Sequence, residues 1–434
     1  MSMKKLYPIL AVLMIAAMLL TACAPAATPA ATVPPTQPSA ASGKLEIFSW
    51  WTAGGEAEGL NALYKIYTAK YPQVEIINAT VAGGAGSAAK AVLATRMQSG
   101  DPPDSFQVHA GHELIDSWVK AGKMEPVTFI FKDEGWLDKY PKGVIDILSY
   151  NNEIWSVPVN IHRSNVLWYN KKIFADNNLT PPTTWDEFFS IADKLKAAGV
   201  TPLALGDNGI WASVHLMESI LLASMGPDKY RGLWTGTTDW AGPEVKSALE
   251  TFAKVMKYVN EDHSALSWDQ AAQLLVDGHA AMTIMGDWTE GYFKSVGWKP
   301  DVDFGYVPSP GTKGTFIMLS DSFGLPKGAK NRDNAINWLK VLGSKEGQDA
   351  FNPLKGSIPA RTDGDRSLYD VYLQSAMDDF ASNQIVPSLA HGAAASEGWV
   401  TSFSDAMSLF VANLDVAAAQ DAMVKACQTA GVCK

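Results

Sequence analysis

The sequence predicts an α/β protein with enough chain for two domains, and three observations carry that expectation. Strand-like runs alternate with helical periodicity from Leu45 onward, which implies a mostly parallel sheet covered by helices. The alternation resumes mid-chain, at Val157-Pro158-Val159-Asn160 and Val166-Leu167-Trp168-Tyr169-Asn170. The stretch from Lys44 to Lys434 exceeds the size at which a single hydrophobic core stops growing.

Residues 1–22 read as a secretory signal peptide. Lys4 and Lys5 precede a short apolar run, Ile9 to Leu20, and small residues follow. That run falls short of the ~20 residues a membrane-spanning helix needs. Leu20-Thr21-Ala22-Cys23 resembles the lipobox of bacterial lipoproteins, which implies that Cys23 becomes the lipidated first residue. Residues 23–43 continue as uncharged, proline-rich chain that cannot bury enough apolar surface to offset its ordering entropy. They read as a tether.

The body opens with a strand, Leu45 to Trp50, and a glycine-rich turn. Leu60, Leu63, Tyr64 and Tyr67 then mark one face of a helix. A second strand at Val74–Ile77, a glycine loop entering a helix at residues 83–97, and a third strand at Ser105–Ala110 complete the unit. In the second region Thr184 and Glu187 form a capping box, and Phe188, Ile191, Ala192 and Leu195 give its helix a buried stripe. Strand character returns around Asp303–Pro308. Phe316–Leu319 and the helix with Ala335, Ile336 and Leu339 are expected to rejoin the first sheet. The C-terminal third reads as helical, with no new strand.

Charge and cysteines narrow the function. A formal net charge of −10 without basic clusters argues against nucleic acid or anionic lipid as partner. With Cys23 assigned to the anchor, Cys427 and Cys433 are left as an isolated pair, which in an oxidising compartment implies a disulfide; two free thiols is the alternative.

In open α/β sheets, ligands bind beyond the carboxyl ends of the strands. Here one strand ends at Trp50-Trp51, with Glu56 in the turn after it, and another carries Gln107 and His109 on one face. The run Ala280–Met285 leads to Asp287 and Trp288, and Phe316–Leu319 leads to Asp321. Aromatic planes with carboxylates, an amide and an imidazole suit a sugar. Pyranose C–H faces pack on indoles, and ionised groups make the stronger bonds to hydroxyls. Because adjacent strand residues face opposite ways, only one of Trp50 and Trp51 is expected to reach the ligand. Most of the fifteen tryptophans, Trp118, Trp185, Trp234 and Trp338 among them, read as packing in cores or over helices.

Other chemistries find less support. No G-x-S-x-G, H-E-x-x-H or P-loop occurs. His109-x-x-His112-Glu113 matches no zinc motif and reads as one satisfied and one solvated histidine. Neither metal nor cofactor is expected. Gly83-Gly84-Ala85-Gly86 lacks phosphate-binding spacing and reads as a flexible loop. Asp287 and Asp321 leave a secreted glycoside hydrolase, with these two as its carboxylate pair, as the rival reading.

At these residues the chain resembles bacterial extracellular solute-binding proteins of family 1, the sugar-binding components of ABC importers, and most their glucose- and galactose-binding members. The resemblance is densest at KLEIFSWW (44–51), GDPPDSFQVHAG (100–111), IWSVPVNIHRSNVLWY (154–169), IMGDW (284–288), LSDSFGLPKGAKN (319–331) and GSKEGQDAFNPLKGSIPAR (343–361). It implies a two-lobed, type II-like periplasmic-binding-protein fold with the ligand cleft between the lobes. Residues 44–152 plus 305–355 would form one lobe and 156–302 plus 358–434 the other, with crossings near 152–160, 300–308 and 355–360. Trp51, Glu56, Gln107, His109, Asp321, Lys355 and His391 would contact sugar, with Asp287 or Trp288 opposite and His162 and Trp211 in support. The implied protein is no enzyme. It is a monomeric, lipid-anchored, extracytoplasmic receptor handing a monosaccharide to the transmembrane permease subunits.

Overall fold

Alternating burial of Leu45 and Ile47 sets the inward face of the first strand, β1 (Gly43–Phe48). The computed structural model describes residues 41–433, so the expected signal peptide, the expected lipidation at Cys23 and the expected tether through residue 40 lie outside the described residues. Residues 41–43, expected in the tether, belong to the body. Asn334 Nδ2 donates to the carbonyls of Ser42 and Lys44, both at 2.9 Å.

The chain continues through β2 (Val74–Asn78), β3 (Ser105–His109), β4 (Met124–Glu125), a hairpin of β5 (Ser149–Tyr150) and β6 (Glu153–Ile154), and β7 (Ser156–Pro158). Next come β8 (Asn160–Arg163), β9 (Val166–Asn170), β10 (Thr201–Leu203), β11 (Ala280–Ile284) and β12 (Phe304–Pro308). The last strands are β13 (Thr315–Leu319), β14 (Asp321–Pro326), β15 (Ile358–Pro359) and β16 (Gln384–Pro387). One sheet has the order β2-β1-β3-β14-β4, with β7 also on β14; a second has β10-β11-β9-β12; a third has β15-β8-β13-β16.

The first sheet is mixed, where a mostly parallel one was expected. β1 runs parallel to β2 and β3, but β14 is antiparallel to β3, β4 and β7. The cause is where β14 enters. Asp321 pairs with His109, so β14 starts at the end of β3 and must run back along it. Thr315–Leu319 does not rejoin this sheet as expected. It pairs with β8 and β16, and only β14 returns. Phe304–Pro308, within the stretch expected to hold a crossing, pairs with β9 along its whole length. The C-terminal third does contain new strands, β15 and β16, short enough to show no period in the sequence.

The helices follow the sequence pattern. Gly54–Lys70 buries Leu60, Leu63 and Tyr67, and Trp185–Ala197 has its capping box and buries Phe188, Ile191, Ala192 and Leu195. Trp234 and Trp338 are core residues, whereas Trp118 and Trp185 are half-buried. Cys427, buried, is bonded to Cys433 at the end of the helix Val416–Thr429. Among the described residues no helix is long and apolar enough to cross a membrane.

Candidate ligand-binding site

The third sheet carries the chain between the other two, and a cavity of about 260 Å³ opens beside it. Much of the wall comes from the ends of regular elements. Trp50 and Trp51 follow β1, His109 ends β3, His162 lies in β8 and Asp321 opens β14. Trp288 and Trp211 start the helices Trp288–Ser295 and Trp211–Thr235, Lys355 ends the helix Lys345–Lys355, and His391 sits in the loop after β16. The volume lies below the roughly 300–1,000 Å³ of drug-sized pockets and suits a smaller molecule.

Asp321 is the centre of the polar network. Its Oδ1 accepts from Gln107 Nε2 and its Oδ2 from Asn160 Nδ2, each at 2.8 Å. His162 Nε2 lies 3.5 Å from Oδ2, and His109 Nε2 3.8 Å from Oδ1. Burial would raise this carboxyl's pKa. The hydrogen bond with His162 and the charges of Lys355 and His109 override burial and hold it far below the usual carboxylate range. Asp321 is therefore an acceptor.

Lys355 is buried, with Nζ 2.9 Å from Glu56 Oε1. The same Nζ lies 5.8 Å from the ring of Trp51 and 5.7 Å from that of Trp288, so two indoles face the cation. Burial raises the pKa of Glu56, and Lys355 only partly counters it. His162 is pulled two ways. Burial and Lys355 disfavour its charge, while Asp287 and Asp321 favour it and prevail, raising its pKa. The far wall is aromatic: the Trp288 ring lies 5.1 Å from His391, 5.3 Å from His162 and 6.3 Å from Trp211. Flat apolar faces set around a fixed anion and a fixed cation can hold a compact ring whose edge carries hydroxyls.

The bacterial extracellular solute-binding protein model matches residues 42–349, most of the chain. This chain belongs to that family. It is 41% identical over 387 residues to an ABC transporter extracellular-binding protein of Pyrococcus horikoshii, covering 88% of this chain and 87% of that one. A probable sugar-binding periplasmic protein of Brucella suis is 32% identical over 355 residues, covering 80% and 83%. The solved structure of a bacterial solute receptor, AcbH, described as exclusive for β-D-galactopyranose, superposes with a TM-score of 0.79 at 17% identity. It covers 89% of this chain and 99% of its own, and the fold shared is the two-lobed α/β fold.

In this solute-binding protein the expected residues separate into two groups. Trp50, Trp51, Glu56, His109, His162, Trp211, Trp288, Asp321, Lys355 and His391 line the cavity. Gln107 and Asp287 do not. Gln107 stands behind Asp321, and Asp287 is fully buried, accepting from the backbone N–H of Arg163 at 2.9 Å and contacting His162 Nδ1. The carboxylate pair of the hydrolase reading therefore does not reach the cavity together. Both indoles of the Trp50-Trp51 pair reach it, although Trp51 is otherwise buried against Phe323 and Phe351. His109 is buried on Glu113 at 2.7 Å, and exposed His112 pairs with Asp116.

Sequence reasoning missed Trp268 and Asp269, which line the cavity from the start of the helix Trp268–Val276. A Ser267–Gln270 capping box marks that turn and was the available signal. It also set aside Gly83-Gly84-Ala85 as a plain loop, whereas these residues form part of the wall.

Proposed function

We propose that this protein is the substrate-binding component of an ABC sugar importer, taking a glucose- or galactose-like monosaccharide into the cavity and delivering it to the permease. The observation that carries the reading is the pairing of an ionised, fully oriented Asp321 with a Lys355–Glu56 pair between indole faces. Charge-assisted bonds to adjacent hydroxyls fix a ring's orientation, and the indoles cover its C–H face. The sugar-binding name of the Brucella suis relative points the same way. Capture near the micromolar range, about −8 kcal/mol, is within reach of a few such bonds and one stacked indole.

Closure of the two lobes over the sugar is the proposed working motion, with the third sheet as hinge. The lobes are close to 44–152 plus 305–355 and 156–302 plus 358–434. The pairing of β12 with β9 favours assigning Phe304–Pro308 to the second. Lipid on Cys23 would hold the body at the outer face of the membrane, and Cys23→Ser should abolish partitioning into detergent. Titrating tryptophan fluorescence with a panel of monosaccharides tests the ligand. Saturable change with glucose or galactose is expected, and silence across the panel would remove the sugar assignment.

A further inference from the structure

The sugar cavity ends against a contact between two residues that do not belong to its polar network. Trp211 and Ala85 line the cavity, and the same two residues line a second, larger cavity of about 630 Å³ on their other side. Between the two spaces the backbone of Gly84 lies on the Trp211 indole. A Cβ added at Gly84 would sit 2.5 Å from Trp211 Nε1 and 2.7 Å from ring carbons. On the near side, a Cβ added at Gly86 would sit 2.7 Å from the Trp50 ring. The loop is thus clasped between one indole from each half of the cleft.

The backbone on both sides of this contact is strained. Ala85 has φ 50° and Ile210, immediately before Trp211, has φ 64°. A β-branched residue in the left-handed region is an outlier, and such conformations persist where surrounding structure enforces them. Behind Ile210 the helix start is pinned, since Asp207 accepts from Ser213 N at 2.9 Å and Ser213 Oγ at 2.6 Å. The indole is therefore held against the glycine from behind.

We infer that Gly84 and Trp211 form a partition that sets ligand length, confining the sugar to one ring. The inference rests on the sugar-binding reading above and extends it to specificity. Glycine is required at 84 because any side chain there would displace the indole. Beyond the partition, the second cavity offers Trp118 and the polar groups of Lys90, Gln98 and Asp405, so removing the barrier creates room for further rings.

The test is calorimetric titration of the parent protein, Trp211→Ala, Trp211→Phe and Gly84→Val with glucose, galactose, maltose and maltotriose. The parent should prefer the monosaccharide over the trisaccharide by about 100-fold or more. Trp211→Ala should reduce that ratio by about tenfold or more, by weakening the monosaccharide and admitting the trisaccharide. Trp211→Phe, which removes the Nε1 edge that lies on Gly84 but keeps an aromatic ring, should shift the ratio in the same direction by a smaller factor. If Trp211→Ala does not fold, Gly84→Val gives the same readout from the other side of the contact. A parent that binds maltotriose as tightly as glucose, or an unchanged ratio in the folded variant, overturns the partition while leaving sugar binding intact. A parent that binds none of the four overturns both.

Discussion

Asn160 holds Asp321 by two hydrogen bonds of opposite sense. Its Nδ2 donates to Asp321 Oδ2 at 2.8 Å, and its Oδ1 accepts the backbone N–H of Asp321 at 2.8 Å. One side chain thereby fixes both the carboxylate and the main chain at the point where β13 gives way to β14. With Gln107 on the other oxygen, the acceptor is oriented by the protein itself. Preorganisation of this kind lowers the cost of binding.

Asn160→Leu should therefore weaken sugar binding although Asn160 does not line the cavity. Losing a hydrogen bond to a charged group costs about 1.5–3 kcal/mol, so the dissociation constant should rise about tenfold or more. Calorimetry on the variant, with circular dichroism to confirm folding, is the check. Unchanged affinity would show that Asp321 needs no such support.

Glu218 gives a pH dependence of defined sign. It is buried and accepts from Ser164, Ser388, Leu389 N and Ala390 N, with His215 3.8 Å away. Burial is the main cause that pushes its pKa up to about 7 from 4.5, against which the hydrogen bonds act. The folded state thus binds the extra proton, and this group's contribution falls as pH rises from 4.5 through 7. His215 tilts the other way. Burial lowers it to about 3 from 6.5, so it costs stability as pH falls below 6.5. His391, also lowered by burial and by His109, has the same sign. Both histidines remain in Glu218→Gln, so the comparison isolates the carboxyl. Relative to this variant, the parent should lose melting temperature between pH 5 and pH 7.5, and parallel curves would contradict the assignment.

Lys90 connects the cleft to its rim. Its Nζ lies 2.8 Å from Glu113 Oε2, the oxygen that also meets His109 Nδ1, and 3.6 Å from Glu397. Burial would raise Glu113, but Lys90 and His109 bring it down to about 2. Lys90→Met leaves that carboxylate buried without its cation, and breaking a buried pair in this way costs about 3 kcal/mol. Urea unfolding at pH 7 should show this loss, with weaker sugar binding because Glu113, the partner of His109, is no longer held by Lys90. Glu397→Gln, whose side chain is 41% exposed, should cost well under 1 kcal/mol. Equal losses in the two variants would refute the distinction.

What the sequence revealed and what it hid follow from range. Trp50, His109 and Trp288 were legible because each ends a run whose period can be read locally. Asn160 was not, since its partner lies 161 positions away. The third sheet was hidden because β15 spans two residues and β16 four, too few to set an alternation. Gly84 looked like any loop glycine. Its meaning comes from an indole that arrives from residue 211.

The central claim is that Asp321 acts as a hydroxyl acceptor in a sugar-binding cleft and takes no part in bond cleavage. Calorimetric titration of the parent and Asp321→Ala with glucose and galactose, run beside an assay for sugar release from aryl glycosides, tests it most directly. Saturable monosaccharide binding by the parent, loss of that binding in Asp321→Ala, and no release by either are expected. Steady turnover that disappears in Asp321→Ala, or undiminished binding in that variant, would contradict it.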